Sequence, residues 1–323
     1  MRLPKTGNVL IPNIRKKIEM KLEELNLKPH ITPKAFLKIH KSEKHRFFSP
    51  CKTIAGKLVG FYSRLHFNLD AKNKVIQEIK FLLKIKESKV KIRKFVPPII
   101  NFGIEKDFEW FTREFPKGKP LGFSRKLHQK IDLKLIPNII NIIFEILKIP
   151  PHFLPTIKTF NVEHYLAKEV YSGLVKDGIL EKGLANSTQQ FIKKNLNFLR
   201  KENRFFCHGD LHLENIISDG KNLWIIDWEL IKLNNFAFDI SFLWSHLWQA
   251  KKEFRQRLIL EFLKKLPKEK FEKFKILFPI VTSFLALEGI RFKEKRKKDA
   301  QKRRKFYLKI FENFSKFQNL IKI

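Results

Sequence analysis

The chain is short of cysteine, glycine and acidic residues, and each shortage excludes something. Cys51 and Cys207 are its two thiols, too few and too far apart for a disulfide framework or a four-cysteine zinc site, and they suit a reducing compartment. The opening residues Met1-Arg2-Leu3-Pro4-Lys5 lack the apolar run of a secretory leader, so a cytoplasmic location is expected. A bilayer-spanning helix needs about 20 apolar residues. The most apolar stretch, Ile276 to Leu287, contains Pro279 and stops at Glu288.

Acidic residues number 32 against 67 Lys and Arg, a formal net charge of +35. Such an excess suits a nucleic acid or an anionic membrane. No RNA-binding motif accompanies it, however, and Lys, Ile, Phe and Asn are over-used together, with 33 Phe, as a bias running through the whole sequence would give. No specific nucleic-acid partner is therefore expected. The densest basic run, Arg291 to Lys305, reads as a solvated helix face that leaves room for peripheral contact with an anionic surface.

The 323 residues suffice for about two domains. Ile14, Ile18, Leu22 and Leu25 fall at helical spacing, and Pro29 and Pro33 close that segment, which makes residues 1–34 a helical extension. From about residue 35 the pattern changes to short apolar runs and turns. Phe61, Leu65 and Phe67 alternate with Tyr62, Arg64 and His66 as a half-buried strand does. A helix follows at about 72–87 with Val75, Ile79, Leu82 and Leu83 on its apolar side, and Phe108 to Phe115 reads as another strand. Beyond Gly118 and Pro120 the pattern is helical except at 205–227. Strands early and helices late predict an α+β protein of two lobes: a small β-rich lobe over 35–114 and a larger helical one over 115–323.

Chemistry concentrates between Arg204 and Glu229. Asp219-Gly220 is a hairpin signal between the apolar runs Ile216-Ile217 and Leu223 to Ile226. Folding the chain there sets Asn215 beside Asp227, with Asp210 on the entering loop. One carboxylate and one amide oxygen, with room left for water and phosphate, suit Mg²⁺, and phosphoryl transfer needs that arrangement. A carboxylate not on the metal is free to orient a hydroxyl and accept its proton.

His208-x-Asp210-x4-Asn215, then Ile226-Asp227-Trp228-Glu229, resembles the catalytic loop and metal-binding aspartate of the protein-kinase-like fold. In particular it is similar to the aminoglycoside phosphotransferase and choline kinase superfamily, and Asn234 to Ile240 continues the match. The resemblance implies a bilobal kinase-like fold with ATP in the cleft. It implies that Asp210 is the catalytic base, that Asn215 and Asp227 are magnesium ligands, and that His208 braces the loop. Glu114 to Leu121 resembles the family's hinge, which makes the backbone at Glu114 and Phe115 the adenine contact. Arg64 stands where the family keeps a phosphate-binding lysine, with Glu78 as its ion-pair partner. An arginine holds phosphate with a different reach and geometry. Lys41 to His45, in the place of the phosphate-covering loop, contains no glycine, so close backbone approach to phosphate is unsupported there.

Trp228, Trp244 and Trp248, with Glu229 and Asp239, could cage a quaternary ammonium such as choline, although Trp244 and Trp248 at i, i+4 also suit a core helix face. His212 is placed near the substrate mouth. Three other readings are weaker. The metallophosphoesterase pattern lacks its downstream histidines, since only His246 follows His212. His208-x3-His212 has zinc spacing without a third ligand. A regulatory protein kinase needs a long activation segment, and Asp239 follows Asp227 too soon. The expectation is thus an ATP- and Mg²⁺-dependent transfer of a γ-phosphoryl group to a small-molecule hydroxyl. The alternative is a degenerate kinase-like protein that binds RNA or a membrane surface through its basic charge.

Overall fold

The computed structural model describes residues 7–30, 46–65, 74–122, 133–154, 159, 161, 168–291 and 297–322. The glycine-free segment Lys41 to His45, the strand end at His66 and Phe67, and 292–296 of the basic run lie outside them. The chain is mixed α+β and divides into two compact units, Met1–Lys117 and Gly118–Ile323.

The first unit is a five-stranded antiparallel sheet with helices. Its elements are α1 (Gly7–Glu24), β1 (Lys28–Pro29), β2 (Arg46–Lys52), β3 (Leu58–Leu65), α2 (Lys74–Glu87), β4 (Ile99–Ile104) and β5 (Phe108–Glu114), with strands in the order β1-β2-β3-β5-β4. The β3–β5 register, with Phe61 opposite Thr112 and Tyr62 opposite Phe111, sorts the side chains onto two faces. Val59 and Phe61 point to one face, where they join Cys51, Phe108 and Trp110 in a buried cluster with Ile18, Leu22 and Leu27. The segment read from sequence as an extension before the lobe is therefore part of its core. Its helix covers one face of the sheet, and its last strand pairs Pro29 with Cys51. Each large apolar side chain buried there contributes roughly 1.5–3 kcal/mol.

The second unit carries α3 (Ile136–Leu147), α4 (Lys168–Lys176), α5 (Lys182–Lys194), α6 (Leu196–Glu202), β7 (Phe205–Cys207), β8 (Ile216–Ser218), β9 (Leu223–Ile225), β10 (Lys232–Asn234), α7 (Phe238–His246), α8 (Lys252–Lys265), α9 (Lys268–Arg291), α10 (Lys297–Asn313) and α11 (Phe317–Leu320). The short β6 (Lys119–Pro120) pairs with β8. The amphipathic α3 buries Ile136, Ile139, Ile140, Ile142, Ile143 and Ile146 on one face and leaves Pro137, Asn138 and Asn141 exposed on the other. Pro279 lies inside α9. Beside it, the Thr282 and Ser283 hydroxyls both donate to the Pro279 carbonyl, at 3.0 and 2.7 Å. This apolar stretch is core: Phe278, Ile280, Val281 and Phe284 are all buried. No helix among the described residues is long and apolar enough to cross a membrane.

Candidate active site

The hairpin forms where Asp219-Gly220 predicts it. Ile216 pairs with Ile225 and Ser218 with Leu223, while Asp219 Oδ1 accepts the amides of Lys221 and Asn222 at 2.9 and 2.7 Å. Those bonds hold the exposed Asp219 carboxyl down at about 2. At the open end the Ile226 amide donates to the Asn215 carbonyl at 3.0 Å, so Asn215 and Asp227 come side by side. Asp227 takes the left-handed backbone conformation, φ 67°, which few non-glycine residues adopt.

The entering loop is held by several side-chain hydrogen bonds. Asn215 Nδ2 donates to the Asp210 carbonyl at 2.9 Å and lies 3.5 Å from Asp210 Oδ2, which leaves the Asn215 amide oxygen as the acceptor end. The backbone pairing thus brings a residue with an amide oxygen next to one with a carboxylate at the hairpin end, and those donor types fit Mg²⁺. His208 is fully buried. Its Nε2 is 3.1 Å from the Ile226 carbonyl, its Nδ1 accepts the Asp210 amide at 3.3 Å, and its ring packs 4.4 Å from Trp228. Burial pushes its pKa down to about 4 and keeps it neutral at pH 7. With both nitrogens taken, His208 is a brace and not a zinc ligand. Among the described residues no group of three His, Cys, Asp or Glu forms a metal cage.

His212 sits directly against Asp210. Its Nδ1 accepts the Glu214 amide at 3.2 Å, which assigns the proton to Nε2, 3.6 Å from Asp210 Oδ2. Burial pushes the Asp210 carboxyl up, but the bond and charge of His212 outweigh it and leave it below its ordinary value. For His212 burial pulls down and Asp210 outweighs it, so the imidazole ends raised. The ring of His246, on α7, lies 5.8 Å from that of His212.

Two expectations about the acceptor pocket are corrected. Asp239, read as a substrate carboxylate, is 1 % exposed and accepts the amides of His208 at 2.8 Å and Gly209 at 3.1 Å. It clasps the catalytic loop from the first turn of α7, and burial raises it to about 6. The tryptophan cage is not built either. Trp228 is buried, its indole donating to the Ile225 carbonyl at 3.1 Å, and Trp244 packs between Phe278 and Phe306 in the core. Trp248 is half-buried and Glu229 is buried.

In the first unit Arg64, Tyr62 and Gly60 share a face of β3 with their partners Glu109, Phe111 and Arg113 on β5. The carboxylate of Glu78, on α2, lies 3.6 Å from the Arg113 guanidinium. Arg113 also donates to the Tyr62 hydroxyl and stacks 4.3 Å over its ring. Glu78 therefore faces Arg113, an arginine outside the expected set of site residues. Its signal was an arginine directly after the largely apolar run Phe108 to Thr112, inside the same strand. Glu114 donates its amide to the Pro98 carbonyl at 3.0 Å and its carboxylate meets Lys57 at 2.6 Å. Phe115 stacks on Phe48 at 6.1 Å.

No curated protein matches the chain. Among solved structures it is similar to a wild-type aminoglycoside 2'-phosphotransferase-IIIa in its GDP complex, with TM-score 0.58 and 14% identity over 94% of this chain and 97% of that one. An amicoumacin kinase solved with AMP-PNP and Ca²⁺ gives TM-score 0.57 and 14% identity over 94% and 95%. Choline kinase from Cryptosporidium parvum Iowa II gives 0.56 and 14% over 97% and 98%. These likenesses establish the kinase-like fold. The model of the phosphotransferase enzyme family matches residues 65–269, well over half of the sequence and including the whole catalytic loop and hairpin, so the chain belongs to the phosphotransferase enzyme family.

Proposed function

We propose that this protein transfers the γ-phosphoryl group of ATP, with Mg²⁺, to a hydroxyl of a small molecule. The observation that carries the reading is the end of the hairpin. There Asn215 and Asp227 lie side by side, and Asp210 is held beside them by its carbonyl, its amide and its neighbour His212. Asp210 orients the acceptor hydroxyl and takes its proton. Its lowered pKa keeps it ionised at neutral pH, which suits orientation and late proton transfer. Asn215 and Asp227 would hold the metal, whose charge neutralises the phosphates. His212, with its Nε2 proton beside Asp210, is placed to meet the acceptor. The unit Met1–Lys117 supplies the nucleotide contacts: Arg64 for phosphate, the backbone at Glu114 and Phe115 for the base, and Glu78 held by Arg113.

A relative of the same fold was solved with AMP-PNP and Ca²⁺ and another with GDP, which supports a nucleotide and leaves the base to be measured. The exposed Arg304 and Lys305 on α10 disfavour a polycationic acceptor and favour a neutral or anionic one. The test incubates the protein with Mg²⁺ and ATP or GTP against choline, ethanolamine, sugars, amino sugars and homoserine. Turnover of one acceptor, abolished by Asp227→Ala, is expected. Failure to bind either Mg-nucleotide, or turnover indifferent to Asp227→Ala, sinks the proposal, and RNA binding by a chain without turnover would favour the degenerate alternative.

A further inference from the structure

The catalytic loop turns at Gly209, where φ is 86° and a Cβ would stand 2.0 Å from the Leu230 carbonyl oxygen. The same Cβ would lie 2.8 Å from Cε of Lys232. The space left by the missing side chain is thus filled by the stem of a lysine from β10, the strand that pairs Lys232 with Cys207 just ahead of the loop. The stem carries its ammonium across to α7, where Nζ sits 4.8 Å from the Phe238 ring, next in sequence to Asp239. Asp239, Asp210 and Glu288 of α9 all lie close enough to act on its charge, as does the thiol of Cys207. Burial pulls the pKa of this lysine down, and the three carboxylates, from the loop, the helix that clasps it and the helix behind, act against that pull. Without a cation such a cluster repels itself in a poorly solvated setting.

We propose that Lys232 is a positioning residue for phosphoryl transfer: its stem supports the turn at Gly209 and its ammonium keeps Asp239 ionised to clasp the His208 and Gly209 amides, so that Asp210 stays aimed. The inference rests on Asp210 as proton acceptor, the reading given above. Lys232 acts through Asp239 and touches no reacting atom. Asp239 accepts the two amides, and the charged groups within electrostatic reach of it include Asp210, the Cys207 thiol and one cation, Lys232. Burial already lifts Asp239 to about 6, so loss of the ammonium carries it further toward neutral pH, and the protonated carboxyl grips the amides less well.

The full-length chain is compared with Lys232→Met and Lys232→Arg. In Lys232→Met, amide exchange of the 205–212 segment accelerates, kcat falls about tenfold with KM for nucleotide and acceptor within about twofold, and the acid limb of kcat moves to higher pH. Lys232→Arg, which keeps the charge, restores the exchange rates and the limb. Wild-type exchange in Lys232→Met overturns the proposal, and so does a loss confined to KM or an arginine variant no better than the methionine one. If Lys232→Met does not accumulate as folded protein, Lys232→Gln takes its place under the same criteria. Exchange needs no turnover, so a chain that phosphorylated no acceptor would sink the proposed function and leave this measurement to judge Lys232 by itself.

Discussion

Each unit buries a charged side chain near its candidate chemistry, and the two are held in opposite ways. Asp239 is gripped by backbone amides of the loop it serves. Arg113 is gripped by side chains alone, a tyrosine hydroxyl and a carboxylate 3.6 Å away, while its Nε and Nη1 protons find no hydrogen-bond acceptor. A backbone partner cannot be substituted away, so the network around Asp239 constrains one residue type. A side-chain partner can change with its mate, so the network around Arg113 constrains a sum of charges and volumes. The two departures that the resemblance implies, Arg64 where a lysine is expected and no glycine over Lys41 to His45, fall in the unit of the second kind.

The contrast can be broken by mutation. Asp210→Ala should lower kcat by about 10²–10⁴ with nucleotide affinity unchanged, as steady-state kinetics beside calorimetric nucleotide titration would show. A variant within threefold of wild type would mean that the loop clasped by Asp239 does not serve the chemistry. Next comes Asp239→Asn. The amide offers one oxygen to two N–H donors and sets its own N–H against one of them, at a cost of about 1–3 kcal/mol, read by denaturant melts at pH 7.

The pH dependence sharpens the same point. Asp239 has a folded pKa of about 6, above its value of 3.8 when unfolded, so wild-type protein gains stability from this group as pH falls through 6. His208 works the other way. It is depressed to about 4 when folded, and its contribution declines as pH falls from 6.5 toward 4. The two oppose each other in wild type, whereas Asp239→Asn keeps the His208 loss alone. The stability gap between them should widen from pH 6.5 to 4, and a constant gap would remove Asp239 from the account. The smallest effect is expected for the double variant Arg113→Met, Glu78→Gln. Replacing both members of a buried pair is often close to neutral, whereas Arg113→Met by itself removes the guanidinium that faces Glu78 and Tyr62 and should cost more. A double variant as unstable as Asp239→Asn would erase the distinction between the units.

Legibility in the sequence followed the same line. His208, Asp210, Asn215 and Asp227 lie within twenty residues and are joined by one turn that Asp219-Gly220 announces, so local rules placed them. Asp239 was legible as a residue and not as a role. An acid after the hairpin reads as a substrate group until tertiary folding shows both oxygens turned onto the loop. The strand Lys232–Asn234 escaped because three residues, two of them polar, carry no alternation of apolar positions. Arg113 and Glu78 meet only through the pairing of a strand with a helix from elsewhere in the chain, and no spacing rule encodes that. Helix α1 showed its apolar stripe plainly, but the stripe does not say which surface it will cover.

Both native thiols, Cys51 and Cys207, are free and fully buried, and burial raises each above the ordinary cysteine value. Thiolate is the species that alkylating reagents attack, so the folded chain is chemically silent toward maleimides. A single cysteine introduced at the exposed Asp219–Asn222 turn would be uniquely addressable, and a fluorophore there would report from the hairpin that carries Asn215 and Asp227 without any native residue being removed from the core.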